Sequence, residues 1–168
     1  QEVRLYNMIL PVWILWLFPQ LLVFVAPANL LVDCLVLTLT LAALKHQGKR
    51  AVVKELWCKF WLRGFGADFL GVLFLLAGAF TADALSDIPW TAGMHEAIMY
   101  NPFLHSLAFL WVLLGVALAG VCIYFFDLRA MKDCDLLTQR EKQVVALAMA
   151  IVPAPWLFFP PPYWGCSP

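Results

Sequence analysis

Charged residues are scarce in this sequence of 168 residues, because Asp, Glu, Lys and Arg together make up only 13% of it. Soluble domains usually carry about 25%. Hydrophobic residues account for 64%, and eleven acidic residues balance eleven basic ones. This composition excludes a disordered chain and a nucleic-acid-binding domain with a basic face, and it argues against most soluble enzymes. It predicts a protein whose surface is solvated by lipid.

Metal-binding and disulfide motifs are missing as well. The five cysteines lie at Cys34, Cys58, Cys122, Cys134 and Cys166, with no Cys-x-x-Cys pair and no histidine at zinc-site spacing. The pattern therefore indicates neither a disulfide framework nor a zinc site. We expect no cofactor.

Long apolar runs, in contrast, are abundant. A membrane-spanning helix needs about 20 mainly apolar residues, and five stretches reach or approach that length. They lie at residues 8–26, 29–44, 60–80, 103–126 and 144–159. The first has no small-residue cleavage site, which favours a retained span over a signal peptide. Pro27 leaves room for only a tight turn after it, which predicts an antiparallel hairpin of the first two spans.

Lysine and arginine are absent from the connection between the first and second stretches and from that between the third and fourth. All eleven precede the first stretch or fall within 45–63 and 129–142. The positive-inside rule therefore predicts an all-α polytopic protein, with five transmembrane helices, the N-terminus inside and the C-terminus outside. We expect a single domain in a cytoplasmic-type membrane. Six acidic residues, Asp127 among them, are assigned to the inner side, which leaves that side a net charge of +5.

The connections carry three further signals. Thr138 and Glu141 have the spacing of a capping box, which predicts the start of the fifth helix. Pro153 and later prolines should disrupt the outer half of that helix. In the outer loop, a short amphipathic helix is expected around residues 91–100.

Two aspartates fall inside predicted spans, where an ionisable residue costs about 2.5–3.5 kcal/mol. Asp33 shares one helix face with Asn29 and Thr40. Asp68 lies on the small-residue face of the next span. We expect these four residues to line a polar seam between the two helices. Gln20 should close it, because the predicted hairpin places Gln20 at the depth of Asp33.

The depth of the two aspartates decides how they can work together. If Lys45 and Arg63 both mark the inner membrane boundary, Asp33 and Asp68 are offset by about 10 Å along the membrane normal. Such an offset counts against a dyad that shares a proton and leaves a two-station path open. The competing interpretation is structural: each carboxyl has a polar residue at its depth on the neighbouring helix and fixes the helix register.

Three functions remain open on these grounds. The first is a small channel or transporter component in which Asp33 and Asp68 bind a cation, a proton or a small solute. The second is a non-catalytic assembly subunit, which associates with itself or with another membrane subunit. In either case loop 45–63 is suited to anionic lipid headgroups. The third is an intramembrane enzyme that uses the carboxylates.

A metal site in the outer loop is a weaker hypothesis. His95, Glu96 and His105 carry groups that can bind a metal ion, but their spacing matches no zinc motif.

Overall fold

The computed structural model describes residues 19–153, and the side chains of all of these except 19–22, 24, 25 and 100. The described residues form helices and turns, without a β-strand. The helices are α1 (Pro19–Ala43), α2 (Lys49–Ala84), α3 (Met94–Tyr100), α4 (Ser106–Ala130) and α5 (Gln139–Ile151). A single 3₁₀ turn, Pro102–Leu104, lies between α3 and α4. The predicted all-α class is confirmed.

Three of these helices are long and apolar enough to cross a membrane. The qualifying segments are Ala26–Ala43 of α1, Lys49–Ala84 and Ser106–Ala130, with mean hydropathies of 1.7, 1.8 and 2.5. Large apolar side chains on them face outward: Leu31 is 71% exposed and Leu114 is 56% exposed. An outer surface of this kind is expected where lipid replaces water as the solvent. The helices therefore indicate a membrane protein.

Helix α1 runs through Pro27 without a break, so the predicted tight turn at Pro27 is wrong. Proline removes one N–H, which leaves the carbonyl of Val23 without its helical partner. In lipid, a break in the helix would leave more backbone groups without hydrogen-bond partners. Membrane helices therefore tolerate an internal proline. Residues 19–26 and 29–43 thus belong to one helix, while residues 8–18 of the first predicted span lie outside the described residues.

The cationic segment 45–63 is mostly helical and not a loop. The turn after α1 contains Lys45 (φ 55°) and Gly48 (φ 90°), and α2 starts at Lys49. Val52, Leu56 and Phe60 follow at four-residue spacing and are buried. This apolar stripe packs against the bundle and extends α2 to 36 residues, which is about 54 Å at 1.5 Å per residue.

The later elements follow the sequence more closely. Helix α4 covers most of the predicted span 103–126 and continues to Ala130. The predicted short helix near 91–100 is α3, and the predicted capping box is present at Thr138 and Glu141. Helix α5 has 13 residues and ends at Ile151, about 20 Å from its start. Pro153 has no backbone N–H with which to continue the helical hydrogen bonds, which explains an end close to it.

Two buried clusters hold the helices together. The first includes Leu41, Leu56 and Val145 and joins α1, α2, α4 and α5. The second includes Ala79 and Val112 and joins α2, α3 and α4. On α2 the first cluster ends at Ala67 and the second begins at Leu75. Asp68, which belongs to neither cluster, lies between these two positions.

The two cationic segments meet at one end of the bundle. The Nδ1 atom of His46, in the turn after α1, lies 2.8 Å from Oε1 of Glu141 at the start of α5. The backbone N–H of Thr138 donates to the other Glu141 oxygen at 2.8 Å. Hydrogen bonds from the Thr138 backbone, and next from His46 and the Thr138 hydroxyl, lower the pKa of Glu141 to about 2. Glu141 therefore caps α5 and connects it to α1.

Candidate functional site

A small cavity opens between α1, α2, α4 and the end of α5. It has a volume of about 40 Å³, and its lining includes Asn29 and Asp33 from α1, Asp68 from α2, and Pro153. A single water needs about 10–15 Å³ by the same measure. The cavity therefore has room for about two or three water molecules, or for a small ion.

Helix α1 presents Asn29 and Asp33 to this cavity because they lie one turn apart on one face. The facing residue of α2 is Gly64: a Cβ atom built on it would lie 3.9 Å from Oδ2 of Asp33. At this distance the Asp33 carboxylate is in van der Waals range of the Gly64 position and therefore lies close to α2. Asp68 follows Gly64 by one turn and therefore faces the same space.

The predicted depth offset between Asp33 and Asp68 is wrong. Both side chains line the cavity, and their charges interact. The predicted depth offset assumes that Arg63 lies at the membrane boundary. In the structure, α2 continues as a helix from Arg63 back to Lys49. The antiparallel packing of α1 on α2 then places Asp33 beside Gly64 and Asp68.

Asp127 on α4 is a third carboxylate, which the sequence predicts at the inner surface. The structure corrects this, because Asp127 is only 1% exposed. Neither of its oxygens has a hydrogen-bond partner within the described part of the chain, and its charge interacts with those of Asp33 and Arg63. We call Asp33, Asp68 and Asp127 the carboxylate cluster.

A signal for Asp127 was present in the sequence. Ala108, Gly115 and Ala119 form a face of small residues along the fourth predicted span. Steps of four residues from Ala119 lead along this face to Ile123 and Asp127, and both are buried. The signal was missed because the predicted span stopped at residue 126.

Arg63 is a cation whose charge acts on Asp127. Its side chain is half-buried, and one guanidinium nitrogen donates to the carbonyl of Phe126 at 2.9 Å. This bond fixes α2 against α4 next to Asp127. Arg63 thus lies inside the bundle, where its charge interacts with that of Asp127.

Two predicted members of the polar seam lie elsewhere. The hydroxyl of Thr40 donates to the carbonyl of Val36 at 2.8 Å, within its own helix. Gln20 and Asp33 lie 13 residues apart on the continuous helix α1, which separates them by about 20 Å along the axis. The predicted depth match of Gln20 with Asp33 is therefore wrong, and the side chain of Gln20 lies outside the described residues.

The histidines of the predicted metal site make hydrogen-bond contacts with backbone groups. Nδ1 of His95 lies 2.9 Å from the carbonyl oxygen of Ala79, and the backbone N–H of Ala108 donates to Nδ1 of His105 at 3.4 Å. Among the described residues, no group of three His, Cys, Asp or Glu side chains is arranged to hold a metal ion. His95, Glu96 and His105 are thus not brought together as ligands.

Comparison with known proteins adds no family to this description. No protein-family model, curated protein or solved structure matches the chain. The chemistry of the cavity is therefore the basis for a functional argument. Asn29, Asp33 and Asp68 line the cavity with oxygen atoms, which are suited to a positively charged ligand.

Proposed function

We propose that this protein is a small membrane channel or transporter component that binds and moves protons or small cations through the carboxylate cluster. The observation that carries the proposal is the shared cavity of Asp33 and Asp68, which come from two different membrane-length helices. A site between helices can change its exposure when the helices move, whereas a site within one helix cannot.

The energetic cost of the cluster supports a functional role. Each ionisable residue within a span costs about 2.5–3.5 kcal/mol. A carboxyl that only fixes helix register should be compensated by hydrogen bonds. Oδ1 of Asp68 and both oxygens of Asp127 have no such partner within residues 19–153. Bound cations would supply the missing compensation.

The proposed topology has α1, α2 and α4 crossing a cytoplasmic-type membrane. The turn at 44–48 and the segment 131–138 then face inward, in accordance with the positive-inside rule. Helix α3 and its flanking turns face outward. Helix α5 ends at the cavity, where Pro153 contributes to the lining, and we propose its end as the mobile element that admits the cation.

Anionic lipid headgroups are the partner that we propose for segment 45–63. Arg50, Lys54 and Lys59 are exposed on the first turns of α2. Trp57, on the same turns, is 39% exposed. Exposed cations next to an interfacial tryptophan favour a negatively charged membrane surface.

An assembly subunit remains the alternative function, favoured by this same exposed cationic segment. An intramembrane enzyme is less well supported by the cavity. Pockets for organic ligands usually measure about 300–1,000 Å³, whereas this cavity holds about 40 Å³. A proton or a small ion fits the cavity better than an organic substrate does.

Flux through proteoliposomes tests the proposal. Asp33→Asn and Asp68→Asn should each lower the flux of protons or of the transported cation by about tenfold or more, since loss of a charged partner costs about 1.5–3 kcal/mol. Asp83→Asn is the matched control, because Asp83 is an exposed acid on α2 outside the cavity. Unchanged flux in both cavity variants, with helix content preserved, would refute a transport role.

A further inference from the structure

Trp61 on α2 connects the cavity wall to the backbone of α1. It belongs to the lining of the cavity, and its indole N–H donates to the carbonyl of Ala26 at 3.0 Å. Within residues 19–153, this is the one hydrogen bond that a side chain of another helix makes to α1. The same side chain therefore contacts both the cavity and the neighbouring helix.

The bonded carbonyl lies directly before Pro27. A proline inside a helix removes one backbone hydrogen bond, here the bond to the carbonyl of Val23, and prolines are common sites of helix bending. Because α1 continues through Pro27, residues 19–26 and 28–43 form two arms of one helix that meet at a weak point. Trp61 bonds to the last residue of the first arm.

The two arms differ in how they are packed. In the second arm, Val36, Leu37 and Leu41 are buried in the first cluster. In the first arm, the two described side chains are Val23, which is 69% exposed, and Ala26, which is half-buried. A segment with few buried contacts opens at a lower cost than one in a core. The position of the first arm therefore depends strongly on the bond from Trp61.

We propose that Trp61 is a latch: its hydrogen bond to Ala26 keeps the cavity closed on the side of α1. When the bond breaks, α1 bends at Pro27, the Trp61 ring can turn out of the wall, and the cavity opens. The inference goes beyond the proposed function, because it concerns access to the cavity and does not require that the cavity binds or transports a cation. It adds a second mobile wall to the one proposed at the end of α5.

A contact with Phe65 allows the hydrogen bond to be tested separately from packing. The two rings meet edge to face, with a centroid distance of 5.4 Å and an interplanar angle of 87°. Phe65 also lines the cavity. Trp61→Phe keeps an aromatic ring against Phe65 and removes the N–H donor.

The rate of cysteine labelling measures access to the cavity. Asn29→Cys places a thiol in the lining, in a chain whose native cysteines are serine. Membranes are treated with a water-soluble methanethiosulfonate that carries a trimethylammonium group, which is too large for a closed cavity of about 40 Å³. Trp61→Phe should raise the labelling rate about two- to tenfold, because the loss of one neutral hydrogen bond shifts an opening equilibrium by that factor.

Pro27→Ala tests the bending of α1. It restores a backbone N–H and therefore the hydrogen bond to Val23. Added to Trp61→Phe, it should return the labelling rate towards that of the chain with Trp61. Alone, it should lower the rate, which decides the question if Trp61→Phe does not fold. Trp90→Phe is the matched control, since Trp90 is 62% exposed between α2 and α3, and it should leave the rate unchanged.

Three results would overturn the inference. The first is an equal labelling rate in the Trp61 and Trp61→Phe chains. The second is a rate that Pro27→Ala does not lower, either alone or together with Trp61→Phe. The third is an equal increase in Trp90→Phe, which would show general loosening of the bundle. The expected labelling rates together with no flux in proteoliposomes would refute the proposed transport and support the latch.

Discussion

At the scale of single residues, the three carboxylates differ in burial: Asp127 is buried, whereas Asp33 and Asp68 are half-buried. Asp127 has the clearest effect, because it is almost fully buried and lacks hydrogen-bond partners among the described residues. An unsatisfied buried polar group lowers stability by about 1–3 kcal/mol. The presence of Asp127 therefore argues for a role other than stability. Its cost in stability can be measured.

Asp127→Leu should raise the free energy of unfolding by about 1–3 kcal/mol, because it replaces the unsatisfied carboxyl with an apolar group of the same branched shape. Thermal unfolding in detergent measures the change. Asp83→Leu is the control at an exposed position and should change stability by about 0.5 kcal/mol or less. A clear loss of stability in Asp127→Leu would mean that the carboxyl is satisfied in the folded protein.

Glu141 should make the protein sensitive to acid. Its pKa is lowered from 4.5 to about 2, so the stability that it contributes is complete above pH 4.5 and is lost as the pH falls towards 2. Between pH 6 and pH 3, the Tm of the wild-type protein should fall further than that of Glu141→Gln.

Glu55→Gln is the control for this acid effect, because the Glu55 carboxylate lies 3.9 Å from the ammonium group of Lys59 and is partly exposed. Its Tm should follow that of the wild-type protein. Equal acid sensitivity in the wild-type protein and Glu141→Gln would show that the contact with His46 and the helix cap contributes little.

At the scale of helices, close packing of α2 on α4 depends on Gly78. A Cβ atom there would clash with the indole ring of Trp111 at Nε1. The Trp111 ring stacks on Phe74 with a centroid distance of 4.4 Å, and its N–H donates to the Phe74 carbonyl at 3.1 Å. Gly78 is therefore required because the Trp111 ring occupies the space of a side chain there. This contact explains one position of the small-residue face of α2.

Gly78→Ala and Gly66→Ala should change stability in opposite directions. The methyl group of Gly78→Ala displaces Trp111 and should cost about 1–3 kcal/mol. Gly66 has open space around its Cβ position, so Gly66→Ala should stabilise α2 by about 0.5–1 kcal/mol through helix propensity. Chemical or thermal unfolding of both variants gives the comparison. Equal effects would contradict the observed packing of α2 on α4.

The helices could be predicted from the sequence where an apolar run or a cap marks them. Helix α4 and the capping box at Thr138 are such cases. The start of α2 could not be predicted from hydropathy, because its first turns are exposed and cationic on one face and buried at Val52 and Leu56 on the other. The continuity of α1 was missed because a proline rule from soluble helices was applied to a segment in which lipid offers the backbone no other partner.

At the scale of the whole molecule, helix register creates the site. The sequence identified Asp33 and Asp68 by their cost in a membrane, and both line the cavity. It did not place them together, because a depth estimate from flanking cations assumes that each cation lies at the membrane boundary. Arg63 lies within the bundle instead, and only the packing of α1 and α4 on α2 reveals this.

Helices α1 and α2 bring the Asp33 and Asp68 positions to one cavity, and a disulfide between the two helices tests this arrangement. Asp33→Cys and Gly64→Cys are combined in a chain whose native cysteines are serine. Oδ2 of Asp33 lies 3.9 Å from the Cβ position of Gly64, so cysteine side chains at the two positions are within reach of each other. The control pair is Asp33→Cys with Asp83→Cys. Position 83 lies about 28 Å from Gly64 along α2.

Membranes are oxidised, denatured in SDS and labelled with a maleimide polymer that shifts gel mobility. We expect the 33–64 pair to form a disulfide and to escape labelling until a reductant is added. The 33–83 pair should be labelled throughout. Full labelling of the 33–64 pair after oxidation would contradict the shared cavity.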